Sequence, residues 1–308
     1  MDISSAKFIE LTDKQLFDTY FKRYEPEISE FTFTNLFMWR NYYEFQFIEV
    51  ENHLIIFSKS FLGSRDLTLS GKRNSIFFLP PIGPNPSEKI ITLFETIDNA
   101  EIHRVPEKIV EEMSNNNILN EMNIEIYEDR ANWDYVYEVE DLKTLPGNRY
   151  RQNRRWLNKF LENYEYEFKL LNEELIDLSK KLQLEWCIMR GCEEDKSLEE
   201  EQKAIYEALD NFDTLKFSGG IICIEDKCAA YTFGEILNSN TMVIHIEKAN
   251  MKYEGAYQAI NNFFVNNCCE NAVFVNREQD LGIPGLRRAK ESYQPSHMVE
   301  KSVLYRKP

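Results

Sequence analysis

The residues best suited to chemistry lie late in the chain. VNREQDLGIPGLRRAKESYQP (275–295) runs out of an apolar strand, NAVFVN. It places Arg277, Glu278 and Asp280 at that strand's carboxyl end, where open α/β sheets bind ligands. Gly282, Pro284 and Gly285 force a turn, and the helix beyond carries Arg287, Arg288 and Lys290, with Tyr293 just after it. A carboxylate here can act as a general base, and a cationic side chain can answer a developing oxyanion. The structural alternative is that Asp280 caps the turn and Arg277 pairs with an internal acid.

A second group sits in TMVIHIEK, where His245 and Glu247 are two apart and would share one face of a strand. Such a face can deprotonate an amine through water; the competing reading is a satisfied histidine and a solvated carboxylate. Lys248 closes that strand, and ANMKYEG follows. Lys252, Gly255 and Ala256 there resemble a degraded pyrophosphate loop of GNAT acyltransferases, in which free N–H groups at a helix start hold an anion. Many strand-to-helix turns contain a glycine, and Tyr257 stands where such loops have a small residue.

The third group is LPGNRYRQNRRWLNKFLENY (145–164). The chain's formal net charge is −16, yet no acidic residue falls between Lys143 and Lys159. Arg149, Arg151, Arg154, Arg155 and Lys159 crowd together there. On a helical wheel Tyr150, Leu157, Phe160, Leu161 and Tyr164 form an apolar face, with Arg151, Arg155 and Lys159 roughly opposite. Either nearby acids answer this ridge, or it binds an anion, for which arginine's fork suits phosphate. The overall acidity argues against an extended nonspecific nucleic-acid groove but leaves room for one local basic site.

The elements that must position these groups can be read from pattern. The chain has 308 residues, 43% of them hydrophobic and 29% charged, enough for a packed core in two domains. TDKQLFDTYFKRY and PEISEFTFTNLFMWRNYY read as helices. YEFQFIEVENHLIIFSKS reads as a hairpin turning at Glu51-Asn52, and SIFFLPPIG as a strand entering a Pro/Gly loop. A helix (SEKIITLFETIDN), a strand, a helix opened by Pro106 and two strands follow. The second half repeats this order: the basic helix, EYEFKLL, two helices, a hairpin turning at Glu225-Asp226, TMVIHIEK, the helix EGAYQAINNFFVNNCC, NAVFVN, GLRRAKESY and a last strand MVEKSVLYR. That repetition predicts two α/β domains of one mixed-sheet architecture, 1–142 and 143–308. No segment approaches the roughly 20 apolar residues of a membrane span, and the start lacks a signal peptide. These features predict a cytoplasmic protein whose six cysteines are thiols, with no metal spacing; a Cys223–Cys228 disulfide across the hairpin is the minor alternative.

EDRANWDYVYEVEDLKTLPGNRYRQNRRWLNKF, HIEKAN and VNREQDLGIPGLRRAKESYQP, with the earlier SEFTFTNLFMWRNYY, resemble in order and spacing a bacterial family grouped with the C-terminal catalytic region of phosphatidylglycerol lysyltransferases. The resemblance implies two tandem GNAT-like domains, an arrangement shared with Fem-type aminoacyltransferases. In those relatives an amino acid moves from an aminoacyl-tRNA to an amine or a lipid hydroxyl. It points to Asp134, Tyr135, Arg149, Arg154, Arg155, Glu247, Lys248, Asn276, Arg277, Asp280, Gly282, Leu286, Arg287 and Lys290. The expected function is therefore aminoacyl transfer from tRNA to a small-molecule or lipid-headgroup acceptor. Glu247 or Asp280 would be the base, Arg277, Lys290 and the strand N–H groups near Lys248 the oxyanion donors, and the basic helix the phosphate holder. The first alternative is an acyl-CoA-dependent N-acyltransferase using the Lys252–Ala256 loop, with Tyr293 as acid. The second is a noncatalytic binding module on the same fold.

Overall fold

The computed structural model describes residues 2–72, 74–115 and 117–307. In chain order the first elements are β1 (Lys7–Phe8), α1 (Lys14–Arg23), α2 (Phe33–Tyr43), β2 (Gln46–Val50), β3 (His53–Ser58), α3 (Phe61–Arg65), β4 (Ile76–Phe78), α4 (Pro86–Thr96), β5 (Ala100–Pro106), α5 (Glu107–Asn115), α6 (Ile118–Glu121), β6 (Ile124–Glu128), β7 (Asp134–Glu138) and α7 (Val139–Thr144). Then come α8 (Arg151–Asn163), β8 (Glu167–Leu170), α9 (Ile176–Arg190), α10 (Lys196–Asp210), α11 (Phe212–Leu215), β9 (Ser218–Ile224), β10 (Lys227–Asn238), β11 (Thr241–Ala249), α12 (Ala256–Cys268), β12 (Phe274–Asn276), α13 (Pro284–Glu291), β13 (His297–Val299) and β14 (Lys301–Arg306).

The chain divides into two compact units, residues 1–134 with 299–308, and residues 135–298. The first unit holds a seven-stranded sheet in the order β1-β2-β3-β4-β5-β14-β6, and the second sheet runs β13-β7-β12-β11-β10-β9-β8. Counted from the first strand of each unit's own run, the two orders are the same. In both, the place beside the fifth strand is filled from elsewhere in the chain: β14, the last strand, in one, and β7, which precedes the rest of its sheet, in the other.

The division therefore falls at Asp134/Tyr135, with a second crossing at Met298/Val299, and not at 142/143. The strand read as the end of the second domain belongs to the first sheet. The reason is its charge pairing and ladder: Lys301 is fully buried between Glu30 and Asp134, and β14 pairs with β5 on one side and β6 on the other. Alternation predicts a strand but not its partner.

Both hairpins turn where the sequence places them. Glu51, Asn52, Glu225 and Asp226 all have positive φ, the geometry of a two-residue turn that matches strand twist. The first unit's core collects Ile55, Phe57, Phe78, Ile90, Leu93 and Phe94 between sheet and α4. Burying each side chain contributes about 1.5–3 kcal/mol. In the second unit Phe160 of α8 and Ile260 of α12 pack on Ile222 and Ala230 of the sheet.

The feature that makes a site is in the middle of the second sheet. β11 and β12 run parallel but pair only from Thr241↔Phe274 to Val243↔Asn276. β11 then continues to Ala249 against β10 alone, so the carboxyl ends of the parallel pair are unladdered. A one-residue register shift opposite Phe233 and Gly234 falls at His245. Gly234 is required there: a Cβ would collide with the Val243 carbonyl and meet the Ile244 Cα.

Candidate active site

Glu247, Arg277 and Asn261 meet at the open ends of β11 and β12. Arg277 Nη2 donates to Glu247 Oε1 at 2.9 Å, and Asn261 Nδ2, from α12, donates to Oε2 at 2.9 Å. Both charged side chains are almost covered, at 12% and 13% exposure. The guanidinium lies 4.5 Å from the Tyr293 ring centroid and 5.5 Å from that of Tyr137. Burial works against the Arg277 charge, but the Glu247 carboxylate outweighs it and holds the guanidinium more firmly protonated. Burial pushes the phenols of Tyr293 and Tyr137 well up, so both stay neutral. Tyr293 thus supplies a ring face to Arg277, and its hydroxyl is a weak acid.

His245 belongs to a different cluster. The register shift interrupts the alternation that would give it Glu247's surroundings. Its Nδ1 lies 2.8 Å from Glu278 Oε1 and its Nε2 lies 3.0 Å from Glu235 Oε1. Burial pulls its pKa down, yet these two carboxylates push it up to about 9. Both ring nitrogens donate at neutral pH, so this histidine is not a base. The expected pairing of His245 with Glu247 is corrected on that ground.

Asp280 is also occupied. Its fully buried carboxylate accepts from Tyr135 Oη at 2.7 Å, Arg287 Nε at 2.8 Å, Arg287 Nη2 at 3.0 Å and the Gly282 N–H at 2.7 Å. Burial alone would raise its pKa, but these donors hold it well below the usual carboxylate range. It organises the 280–287 turn; as a base it would be weak, and the expectation of such a role is corrected. Lys290 is buried and donates to the Arg277 and Glu278 carbonyls, bracing the segment that carries Arg277. Glu278 itself sits at φ 57, a left-handed conformation that costs a non-glycine residue about 1–3 kcal/mol.

Lys248 points elsewhere. Its ammonium donates to Glu201 Oε2 at 2.7 Å and lies 3.7 Å from the Trp186 ring centroid, and burial lowers its pKa. The loop after β11 is sealed by packing. Gly255, at φ 81, caps α12, and a Cβ there would collide with the Trp156 carbonyl of α8. The small residue lets α12 pack on α8. Lys252 is exposed, and its N–H is bonded to Asn250 Oδ1 at 3.0 Å. Tyr257 turns inward and accepts from Trp186 Nε1 at 3.0 Å.

The basic helix divides its cations between two tasks. Arg149 pairs with Asp141 at 2.6 Å, Arg154 donates to the Leu145 and Gly147 carbonyls just past the end of α7, and Lys159 pairs with Glu254. Arg151 and Arg155 are exposed, and among the described residues neither has an ion pair or hydrogen bond. The outward ridge is thus these two, one helical turn apart.

Asn261, Glu235, Glu201 and Trp186 escaped the sequence reading. Asn261 left one signal, a polar residue inside the buried stripe of α12 beside Ile260 and Phe264. The six cysteines are not all thiols. Cys187 and Cys192 form a disulfide, because Gly191 in the left-handed region turns the chain back and brings their Cα atoms to 5.1 Å. Cys223 and Cys228 do face each other across the hairpin, as free thiols. Among the described residues no cluster of metal-ligating side chains forms, and no helix is long and apolar enough to cross a membrane.

Two consecutive units with this strand order define a tandem GNAT-like fold, and solved structures share it. A conserved protein from Bacteroides thetaiotaomicron is 30% identical, covers 97% of this chain and 98% of its own, and superposes with a TM-score of 0.85. The L-PGS structure from Bacillus licheniformis is 14% identical over 96% of this chain and 92% of its own, TM-score 0.64. A FemX structure is 8% identical over 98% and 97%, TM-score 0.60. The chain belongs to the phosphatidylglycerol lysyltransferase C-terminal family, whose profile matches residues 21–305.

Proposed function

We propose that this protein is an aminoacyltransferase that moves an amino acid from an aminoacyl-tRNA to an amine or hydroxyl of a small molecule or lipid headgroup. The observation that carries the reading is the Glu247–Arg277 pair at the open ends of β11 and β12. It unites a carboxylate that can take a proton with a guanidinium that can answer an oxyanion. Membership in a family named for lysyl transfer to phosphatidylglycerol supports the same reaction class.

In the step, the acceptor's N–H or O–H gives its proton to Glu247 while its heteroatom attacks the ester carbonyl. Arg277 stabilises the charge on the carbonyl oxygen. The ester C–O bond then breaks, and the departing ribose oxygen takes the proton. Arg151 and Arg155, exposed and unengaged among the described residues, supply cations for acceptor-stem phosphates. The acyl-CoA alternative draws no support from the α12 start, where Gly255 is packed on α8 and Tyr257 fills the loop's inner side.

The test is turnover of a mixed aminoacyl-tRNA pool with amine and lipid-vesicle acceptors. Glu247→Gln is expected to slow transfer by the folded fraction by about a hundredfold or more, and to lower the unfolding temperature because it leaves the buried Arg277 without its counter-charge. Transfer at the wild-type rate would remove Glu247 as base. Calorimetry with acetyl-CoA is expected to show no heat of binding.

A further inference from the structure

Among the described residues, two buried polar atoms beside Glu247 have no hydrogen-bond partner. Asn261 is 1% exposed; its Nδ2 is committed to Glu247, and among the described residues nothing donates to its Oδ1. Arg277 Nη1 likewise has no acceptor there, although Nη2 is held by Glu247. Native structures rarely leave such atoms unsatisfied, and each exception calls for a ligand, an ion or a water. Here they flank one carboxylate. The cluster runs acceptor, anion, cationic donor.

A ligand that satisfies both atoms needs a donor at the Asn261 end, where the neighbouring Glu247 carboxylate favours a cationic one, and an acceptor such as a carbonyl at the Arg277 end. In an α-aminoacyl ester the ammonium and the carbonyl are joined by a single carbon. We infer that Asn261 Oδ1 binds the free α-ammonium of the aminoacyl donor, while Arg277 Nη1 holds its ester carbonyl. This rests on the aminoacyl-transfer reading and adds a binding residue, Asn261, and a selection rule. The site accepts donors with a free α-amine and rejects N-blocked ones. Asn261 and Arg277 read what all amino acids share, so the choice of amino acid belongs to other contacts.

The arrangement also places the carbonyl where Arg277 can follow it from ester to oxyanion. A charge-assisted hydrogen bond of this kind is worth about tenfold or more in affinity.

The probe is a 3′-aminoacylamino-3′-deoxyadenosine, in which a stable amide stands for the ester, compared with its N-acetyl derivative by calorimetry on the full chain. The free amine is expected to bind about tenfold or more tightly than the N-acetyl form. Asn261→Ala should erase that preference, and Asn261→Asp, which keeps an acceptor, should retain it. Equal affinity of wild type for the two nucleosides overturns the inference, leaving the two atoms to water, while binding of both still supports an aminoacyl-tRNA donor. No binding of either nucleoside, together with no tRNA band shift at low salt, removes the donor reading and this inference with it. The wild-type comparison stands even where a variant fails to fold.

Discussion

The two units are built on one plan, and one position shows how far they differ. Each has a short parallel pair at the centre of its sheet, β4 with β5 and β11 with β12. Two residues past the last rung of each lies a non-glycine residue in the left-handed region, Arg104 at φ 61 and Glu278 at φ 57. In the first unit the charges around that point are clasped: Arg104 lies between Glu30 (3.1 Å) and Asp129 (2.6 Å), and Lys301 between Glu30 (2.6 Å) and Asp134 (2.7 Å). The loop after β4 bends back and pairs Ile82 with Leu54, and the His53 Nε2 meets the Pro84 carbonyl at 2.6 Å. α4 then opens on Pro86, which has no N–H to offer an anion.

In the second unit the charges there pair as Arg277 with Glu247 (2.9 Å) and His245 with Glu278 (2.8 Å) and Glu235 (3.0 Å); among the described residues buried atoms without a hydrogen-bond partner occur in both places, at Glu30 Oε1 and His103 Nε2 in the first unit and at Arg277 Nη1 and Asn261 Oδ1 in the second. A repeated scaffold thus carries a left-handed residue twice, each among a different set of charges. Ion pairs clasp the first unit's network, and the proposed chemistry rests on the Glu247–Arg277 pair of the second.

The largest expected effect comes from opening the closed network. Asp134→Ala leaves Lys301, fully buried, with one fewer carboxylate, and should cost about 3–5 kcal/mol in denaturant unfolding. A loss below about 1 kcal/mol would mean the first unit's charges are not what holds it. Next is Gly255→Ala, which adds a Cβ against the Trp156 carbonyl at a left-handed φ. Overpacking of this kind costs about 1–3 kcal/mol, so a lower Tm is expected, with α8 the first element to lose hydrogen-exchange protection.

The His245 cluster adds a pH dependence. Glu235 and Glu278 hold its folded pKa at about 9, above the ordinary imidazole value of about 6.5, so its contribution to stability is complete below about pH 6.5 and fades as pH rises through 9. A stability profile that is flat or rising between pH 7 and 9.5, or one unchanged in His245→Gln, would contradict the imidazolium assignment. The smallest effect is at the surface. Arg151→Glu with Arg155→Glu should weaken tRNA binding by roughly tenfold, lower the salt slope by about two phosphate contacts and leave unfolding unchanged.

Much of this was legible in the sequence, for physical reasons that also explain the rest. Hairpins at Glu51-Asn52 and Glu225-Asp226, the amphipathic basic helix and the repeated order of elements are local features, carried by periodicity and turn chemistry. Arg277 and Glu247 stood out because charge at the carboxyl end of an apolar strand is conspicuous. Pairing at a distance was not legible. Nothing in MVEKSVLYR says that Lys301 will be buried between Glu30 and Asp134, and nothing in RQNRR separates Arg154, spent on backbone carbonyls, from Arg151 and Arg155. The shift at His245 left only Gly234 as a clue, on a neighbouring strand.

The central claim is that the chemistry belongs to the second unit's Glu247–Arg277 pair and not to the Arg104 network of the first. It is tested by measuring single-turnover aminoacyl transfer and thermal unfolding on the same two variants, Arg277→Lys and Arg104→Lys. Arg277→Lys loses the fork that can hold Glu247 and a carbonyl together; it should unfold near the wild-type temperature and transfer at least about tenfold more slowly. Arg104→Lys should unfold earlier, yet its folded fraction should transfer at the wild-type rate. Slow transfer by a folded Arg104→Lys protein, with Arg277→Lys fully active, would place the chemistry in the first unit and contradict the account.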